Sequence, residues 1–159
     1  MAVERVGSFD EIADEFAARV AKVVWCNLAT VDARGRPRSR VVHPVWVGRQ
    51  GWLGVRRGTP KTRQVDANPH VSLAYVSDLA KPFYVESTAS WVEDPSERQR
   101  YFETARSLPP PLGFDPAPIF GAPDDPGFGL LAFTPWRIQL DDMPTRKVVW
   151  LAAAERSGA

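Results

Sequence analysis

The stretch RRGTPKTRQ, Arg56 to Gln64, puts four cations, Arg56, Arg57, Lys61 and Arg63, within eight residues. A cluster this dense is either a solvated surface turn or a grip on an anion. The span PKTRQVDANP reads as a short helix, with Pro60 tolerated in its first turn and Pro69 ending it at Asn68. A helix N-terminus offers free backbone N–H groups and the positive end of a dipole. Thr59 adds a hydroxyl, and Lys61 and Arg63 add full charge. The turn therefore has the composition of a phosphate site, with the charged surface turn as the plain alternative.

A second basic stretch, RGRPRSR, covers residues 34–40. On a strand, residues two apart share a face, so Arg36, Arg38 and Arg40 point the same way. Arg34, Arg36 and Arg38 are expected in solvent. Arg40 differs because it adjoins the apolar run VVHPVW, where a guanidinium reaches an anion or a carbonyl from a partly dry wall. A nucleic-acid patch is disfavoured by the balance of the chain, 20 basic against 19 acidic side chains for a net charge of +1.

Other chemistries find little support. There is no GxGxxG, P-loop or HExxH pattern, and no GxSxG elbow to accompany His43 and His70. One cysteine and two histidines exclude an intrachain disulfide and a Cys/His zinc cluster. Cys26, inside an apolar strand, reads as a small buried hydrophobe. Both histidines read as ordinary strand residues.

The elements that must position these groups follow from periodicity. A chain of 159 residues with 44% hydrophobic content suits a single domain with its own core. Residues 8–22 read as a helix, with Ser8 and Glu11 as a capping box and Phe9, Ile12, Phe16 and Val20 at helical spacing. Strands are expected at 23–31, 37–47 and 51–56, as an antiparallel meander. Two more follow in HVSLAYVS and FYVESTASWVE. A helix then spans DPSERQRYFETARSL, capped by Asp94 or Ser96, with Tyr101, Ala105 and Leu108 as its stripe. Residues 109–129 are rich in proline and glycine and exclude a helix or a central strand. They also carry Leu112, Phe114, Ile119, Phe120 and Phe128, so they read as an ordered loop packed on the body or on a partner chain. LLAFTPWRIQL is the last strand, and RKVVWLAAAERSGA adds at most a short element before fraying. About six mostly antiparallel strands with flanking helices make a small β-barrel. The acidic N-terminus lacks a signal-peptide core, and no run approaches the ~18 apolar residues of a membrane helix. A cytoplasmic protein that engages neither membrane nor nucleic acid is expected.

The order and spacing of NLATVDARGRPRSRVVHPVW, GWLGVRR, GTPKTRQVDANPHVSLAYV and LAFTPWRIQL, over residues 10–140, resemble the pyridoxamine 5′-phosphate oxidase-like FMN-binding split barrels. The general-stress-protein type is the most similar branch. The resemblance implies a split β-barrel homodimer with a flavin held between two subunits. It implies that Arg40, Val41 and Val42 line the ring and reach toward the phosphate, with Val55 and Arg56 on the facing strand. Thr59 and Lys61 match the phosphate-binding turn, and Trp136 falls near a late aromatic that approaches the ring from the partner chain. Three positions depart from true pyridoxamine-phosphate oxidases. Their Arg-Lys pair reads Pro60-Lys61, their substrate-binding lysine reads Val45, and their glutamine reads Pro82 or Phe83. The GTPKTR turn is also similar to that of relatives using the deazaflavin coenzyme, whose longer polyanionic tail Arg57 and Arg63 would suit. The expected function is an FMN-dependent oxidoreductase acting on a planar small molecule. A deazaflavin-dependent reductase and a non-catalytic flavin-binding or sensing protein are the alternatives.

Overall fold

A computed structural model describes residues 2–156. Among the described residues nine strands form one mixed sheet: β1 (Ala2–Val6), β2 (Cys26–Val31), β3 (Pro37–Val42), β4 (Val45–Val47), β5 (Gln50–Arg56), β6 (His70–Tyr75), β7 (Phe83–Trp91), β8 (Phe128–Asp142) and β9 (Arg146–Leu151). Helices α1 (Ala13–Lys22), α2 (Pro60–Ala67), α3 (Pro95–Ser107), α4 (Ala117–Phe120) and α5 (Ala153–Arg156) flank it. Among the described residues no helix is long and apolar enough to cross a membrane.

The expected first helix is present as a 3₁₀ turn at Phe9–Glu11 followed by α1. Its capping box is complete: the Glu11 carboxylate accepts from the Ser8 N–H at 2.7 Å, and the Ser8 hydroxyl accepts from Asp10 at 3.2 Å. Phe16 and Val20, one turn apart, bury α1 against the barrel.

The barrel mouth follows from one long strand. β8 pairs with β7 along one edge. Along the other it pairs with β5 through Phe128–Phe133 and with β9 through Arg137–Asp142. It changes neighbour at a bulge, where Pro135 faces Ser87, Arg137 faces Glu86, and Trp136 is the extra residue. A bulge is where a sheet tolerates a proline without an N–H.

Three expectations are corrected. The meander 23–31, 37–47, 51–56 forms as two separate antiparallel pairs, β2 with β3 and β4 with β5, and not as one continuous three-stranded run. β3 pairs only with β2, the chain leaves the edge at His43-Pro44, and β5 crosses to β8. Proline cannot extend the ladder, and β5, buried from Gly51 to Val55, needs covered neighbours that an edge cannot give. The segment 109–129 does hold a helix, the single turn α4, with Pro116 and Pro118 at its start, where a missing N–H costs nothing; its last two residues open β8. The ends are also more ordered than expected. β1 runs parallel to β9, and β9 is a full sheet member. The expected frayed end, residues 157–159, lies outside the described residues.

Two apolar clusters fill the molecule. The larger unites Phe16, Leu28, Leu73, Tyr75, Phe83 and Phe133 inside the barrel. The smaller packs Tyr101 and Phe102 of α3 on Trp52, Phe128 and Leu130. Cys26 is buried as expected, and burial pushes its thiol up to about 12.

Candidate functional site

Arg40 sits opposite Leu28 in the β2–β3 ladder. Paired residues point to one face, and Leu28 is fully buried, so Arg40 starts from the core side and extends to the barrel end. Its guanidinium donates to Thr30 Oγ1 at 2.6 Å and to Gln64 Oε1 at 3.1 Å. The Thr30 hydroxyl donates to the same Gln64 oxygen at 2.6 Å. This triangle ties β2 and β3 to α2. Gln64 and Lys61 lie three apart on α2, so they share a helix face and Lys61 falls beside Arg40.

Neither Arg40 nor Lys61 makes an ion pair among the described residues. Burial holds the Lys61 ammonium below its ordinary range, and the Arg40 guanidinium lowers it further. Burial likewise depresses Arg40, with Arg38 adding repulsion. Two partly desolvated cations side by side favour an anion between them. The first turn of α2 carries no side-chain cap, because the Thr59 hydroxyl bonds the Arg56 carbonyl instead, at 3.2 Å.

Lys61 opens onto a cavity of about 370 Å³, within the usual range for small-molecule sites. Val41, Val42, Leu53 and Gly54 contribute one part of its lining. Trp25, His43, Tyr101, Phe114, Ile119 and Phe120 contribute the rest. Gly54 is a packing necessity, since a Cβ there would lie 2.6 Å from the Tyr101 hydroxyl and 2.7 Å from the Phe120 ring.

The other expected site residues are placed as follows. Val55 is 1% exposed and belongs to the barrel core. Arg56 donates to the Ile119 carbonyl and so anchors the proline-rich segment. Arg57 grips Glu93 at 2.7 Å and stacks on Trp91 with 4.6 Å to the ring centre. Arg63 folds back onto the Gly58 carbonyl at 2.5 Å. Trp136 is the bulge residue of β8, its buried indole N–H has no partner among the described residues, and it does not line the cavity of its own chain. Arg40, Val41, Val42 and Lys61 are thus the expected residues that converge.

Sequence reasoning missed Trp25, His43, Leu53, Gly54 and Tyr101. The aromatics of 109–129 were legible as packing residues, and the structure places Phe114, Ile119 and Phe120 in the cavity lining. His43 lies between Trp25 and Phe114, at 5.1 and 4.9 Å between ring centres. Burial lowers its pKa from 6.5, against a smaller opposing effect of a hydrogen bond to the Leu112 backbone. The sign follows. A folded-state value below the unfolded one means stability is fully present above 6.5 and is lost as pH falls below it. Urea midpoints are expected to drop between about pH 7 and 5, and His43→Phe is expected to flatten that part of the profile. An unchanged slope in the variant would place the titrating group elsewhere.

The model of the pyridoxamine 5′-phosphate oxidase family matches residues 12–158. A Clostridium acetobutylicum protein related to general stress protein 26 of B. subtilis superposes with a TM-score of 0.70 at 15% identity, covering 91% of this chain and 97% of its own. A pyridoxamine 5′-phosphate oxidase-related, FMN-binding protein from Nostoc punctiforme gives 0.62 at 15% identity, covering 86% and 87%. An F420 reductase gives 0.58 at 20% identity, covering 76% and 93%. These likenesses carry the split-barrel fold. Among curated proteins no sequence matches this chain.

Proposed function

The chain belongs to the pyridoxamine 5′-phosphate oxidase family, and from that premise we propose that it is an FMN-dependent oxidoreductase acting on a planar small molecule. The observation that carries this reading is the pairing of two unneutralised cations, Arg40 and Lys61, beside an otherwise apolar cavity. A phosphate joined to a flat ring system fits both halves of that arrangement. Arg40, Lys61 and the uncapped N–H groups of α2 would hold the phosphate. Val41 and Val42 would face the ring, and the segment 109–121 would exclude water. When bound, the flavin ring supplies the redox chemistry, while the protein orients it and sets its electrostatics.

Oxidation of pyridoxamine phosphate itself is not the activity proposed. Val45, where such oxidases carry a substrate-binding lysine, is 2% exposed in the smaller core, and Phe83 is 1% exposed in the larger. Neither position offers a polar group to a substrate. FMN is preferred over the deazaflavin coenzyme F420 because the two cations that would suit a polyanionic tail are engaged within the chain, Arg57 with Glu93 and Arg63 with Gly58.

A homodimer with the cofactor at the subunit boundary completes the proposal. β3 has an unpaired edge, and Val41 on it is 64% exposed; such edges are normally covered. Light scattering is expected to give about twice the 17.7 kDa of one chain. The first test is an absorbance scan followed by titration with FMN and with the deazaflavin coenzyme. Bands near ~375 and ~450 nm, or tight FMN binding, support a flavoprotein. A band near ~420 nm or a preference for the deazaflavin moves the protein to that reductase branch. Binding of neither sinks the proposal. Reoxidation of the reduced protein by added electron acceptors separates an enzyme from a flavin store.

A further inference from the structure

Arg40 is held differently from the other arginines of this chain. Arg19 takes the carboxylates of Glu15 and Asp142, Arg57 that of Glu93, and Arg137 that of Glu86. Arg40 instead donates to the Thr30 hydroxyl and the Gln64 amide oxygen. Among the described residues it is the one arginine that is bonded to side chains of which none is charged.

The direction of each bond in this triangle follows from its chemistry. A guanidinium donates and never accepts. Thr30 Oγ1 therefore accepts from Arg40, at 2.6 Å, and gives its own proton to Gln64 Oε1, also at 2.6 Å. The same Gln64 oxygen accepts from Arg40 at 3.1 Å. With the amide turned over, its NH2 group would face the guanidinium, donor against donor. Gln64 Oε1 is thus the acceptor that both other corners need. Thr30 is 1% exposed, so solvent does not stand in for it.

The absence of charge at position 64 matters as much as the hydrogen bonds. A glutamate has the same length and would accept the same two bonds. It would also neutralise Arg40, as an opposite charge at this distance does. The amide fixes the guanidinium and leaves its charge intact. Two of the five N–H donors of Arg40 are engaged among the described residues, so the others remain for a ligand. Lys61, one helical turn before Gln64 on α2, lies close enough to feel the Arg40 charge.

We infer that Gln64 is a positioning residue of the anion site: its amide oxygen orients Arg40, and its neutrality keeps that cation available to a phosphate monoester. That the phosphate belongs to a flavin rests on the cofactor reading above, whereas the arrangement itself requires only a phosphate.

The test compares wild type, Gln64→Glu and Gln64→Met. Each is titrated calorimetrically with inorganic phosphate, FMN and riboflavin, which is FMN without its phosphate, at about pH 8, where the phosphate is a dianion. Urea unfolding without ligand reads stability. Gln64→Glu is expected to keep or raise the urea midpoint, since it still accepts from Arg40 and Thr30. It should weaken phosphate and FMN by about tenfold or more and leave riboflavin unchanged. Gln64→Met should lower the midpoint yet weaken FMN by only about threefold, because Arg40 keeps its charge and its bond to Thr30. The variant that is worse for the anion is therefore the better one for the fold, a crossing that a merely structural role does not produce. Wild-type affinity in Gln64→Glu, or losses that follow the urea midpoint across the two variants, would overturn the inference. The expected ranking for phosphate, with FMN bound no more tightly than riboflavin, would sink the cofactor reading and leave Gln64 in its role. FMN bound more tightly than riboflavin, and equally by all three proteins, would sink the role of Gln64 alone. Wild type that binds neither phosphate nor FMN would overturn both.

Discussion

Lys61→Ala is expected to weaken FMN binding by about 1.5–3 kcal/mol, the range of one charge-assisted hydrogen bond, or roughly ten- to 150-fold in Kd. The size of the effect follows from where Lys61 stands. It is partly desolvated, it lies beside a second cation, and no carboxylate among the described residues neutralises it. An anion bound there gains from both cations in a setting that screens them less than open solvent does. Arg40 alone would retain part of the affinity, because its contacts with Thr30 and Gln64 fix its position independently of the lysine. Arg63→Ala serves as the control. That side chain is exposed and turned back onto Gly58, so its loss should leave Kd nearly unchanged. An unchanged Kd in Lys61→Ala, for FMN and for the deazaflavin coenzyme alike, would remove the phosphate assignment. An equal loss in Arg63→Ala would point to diffuse surface charge instead.

Phe133→Ala is expected to cost about 3–5 kcal/mol of stability, the range for deleting a buried aromatic ring. Phe133 is fully buried and stands where three strands meet, opposite Gly51 of β5 and Ala89 of β7. Both opposing residues are small, so neither can lean in to fill the space. The lost stability would be a large part of the roughly 5–15 kcal/mol that holds an ordinary domain together. The measurement is a urea titration. The midpoint should fall while the slope stays constant, as it does when only the folded state has lost packing. A loss below about 1 kcal/mol would mean that the barrel relaxes around the gap.

The sequence carried the local decisions, because those depend on residues within a few positions of one another. The Ser8–Glu11 box, the stop at Asn68-Pro69, the Asp94 cap and the alternation along β6 and β7 were all readable in order. So was the choice of Arg40 over Arg36 and Arg38, since Arg40 alone adjoins the apolar run. Resemblance added the family, and with it the expectation of a phosphate-binding turn at Lys61.

What the sequence left open was long-range. Nothing local says that β5 abandons β3 for β8, a partner some 75 residues further along, or that Ala2–Val6 completes the sheet beside β9. The meander is split into two pairs for that reason: the burial of β5 on both faces is a property of the whole barrel. The environment of each cation is likewise a long-range matter. Glu93, Trp91 and the Gly58 carbonyl engage Arg57 and Arg63, whereas Arg40 and Lys61 make no ion pair among the described residues. His43 was read as an ordinary strand residue because its neighbours, Trp25 and Phe114, come from 18 residues before it and 71 after it. The sequence by itself determined most of the local elements, the family resemblance and the candidate cations. Only the tertiary structure decided which cations lack a partner and which rings enclose a cavity, because both depend on contacts between residues far apart in the chain.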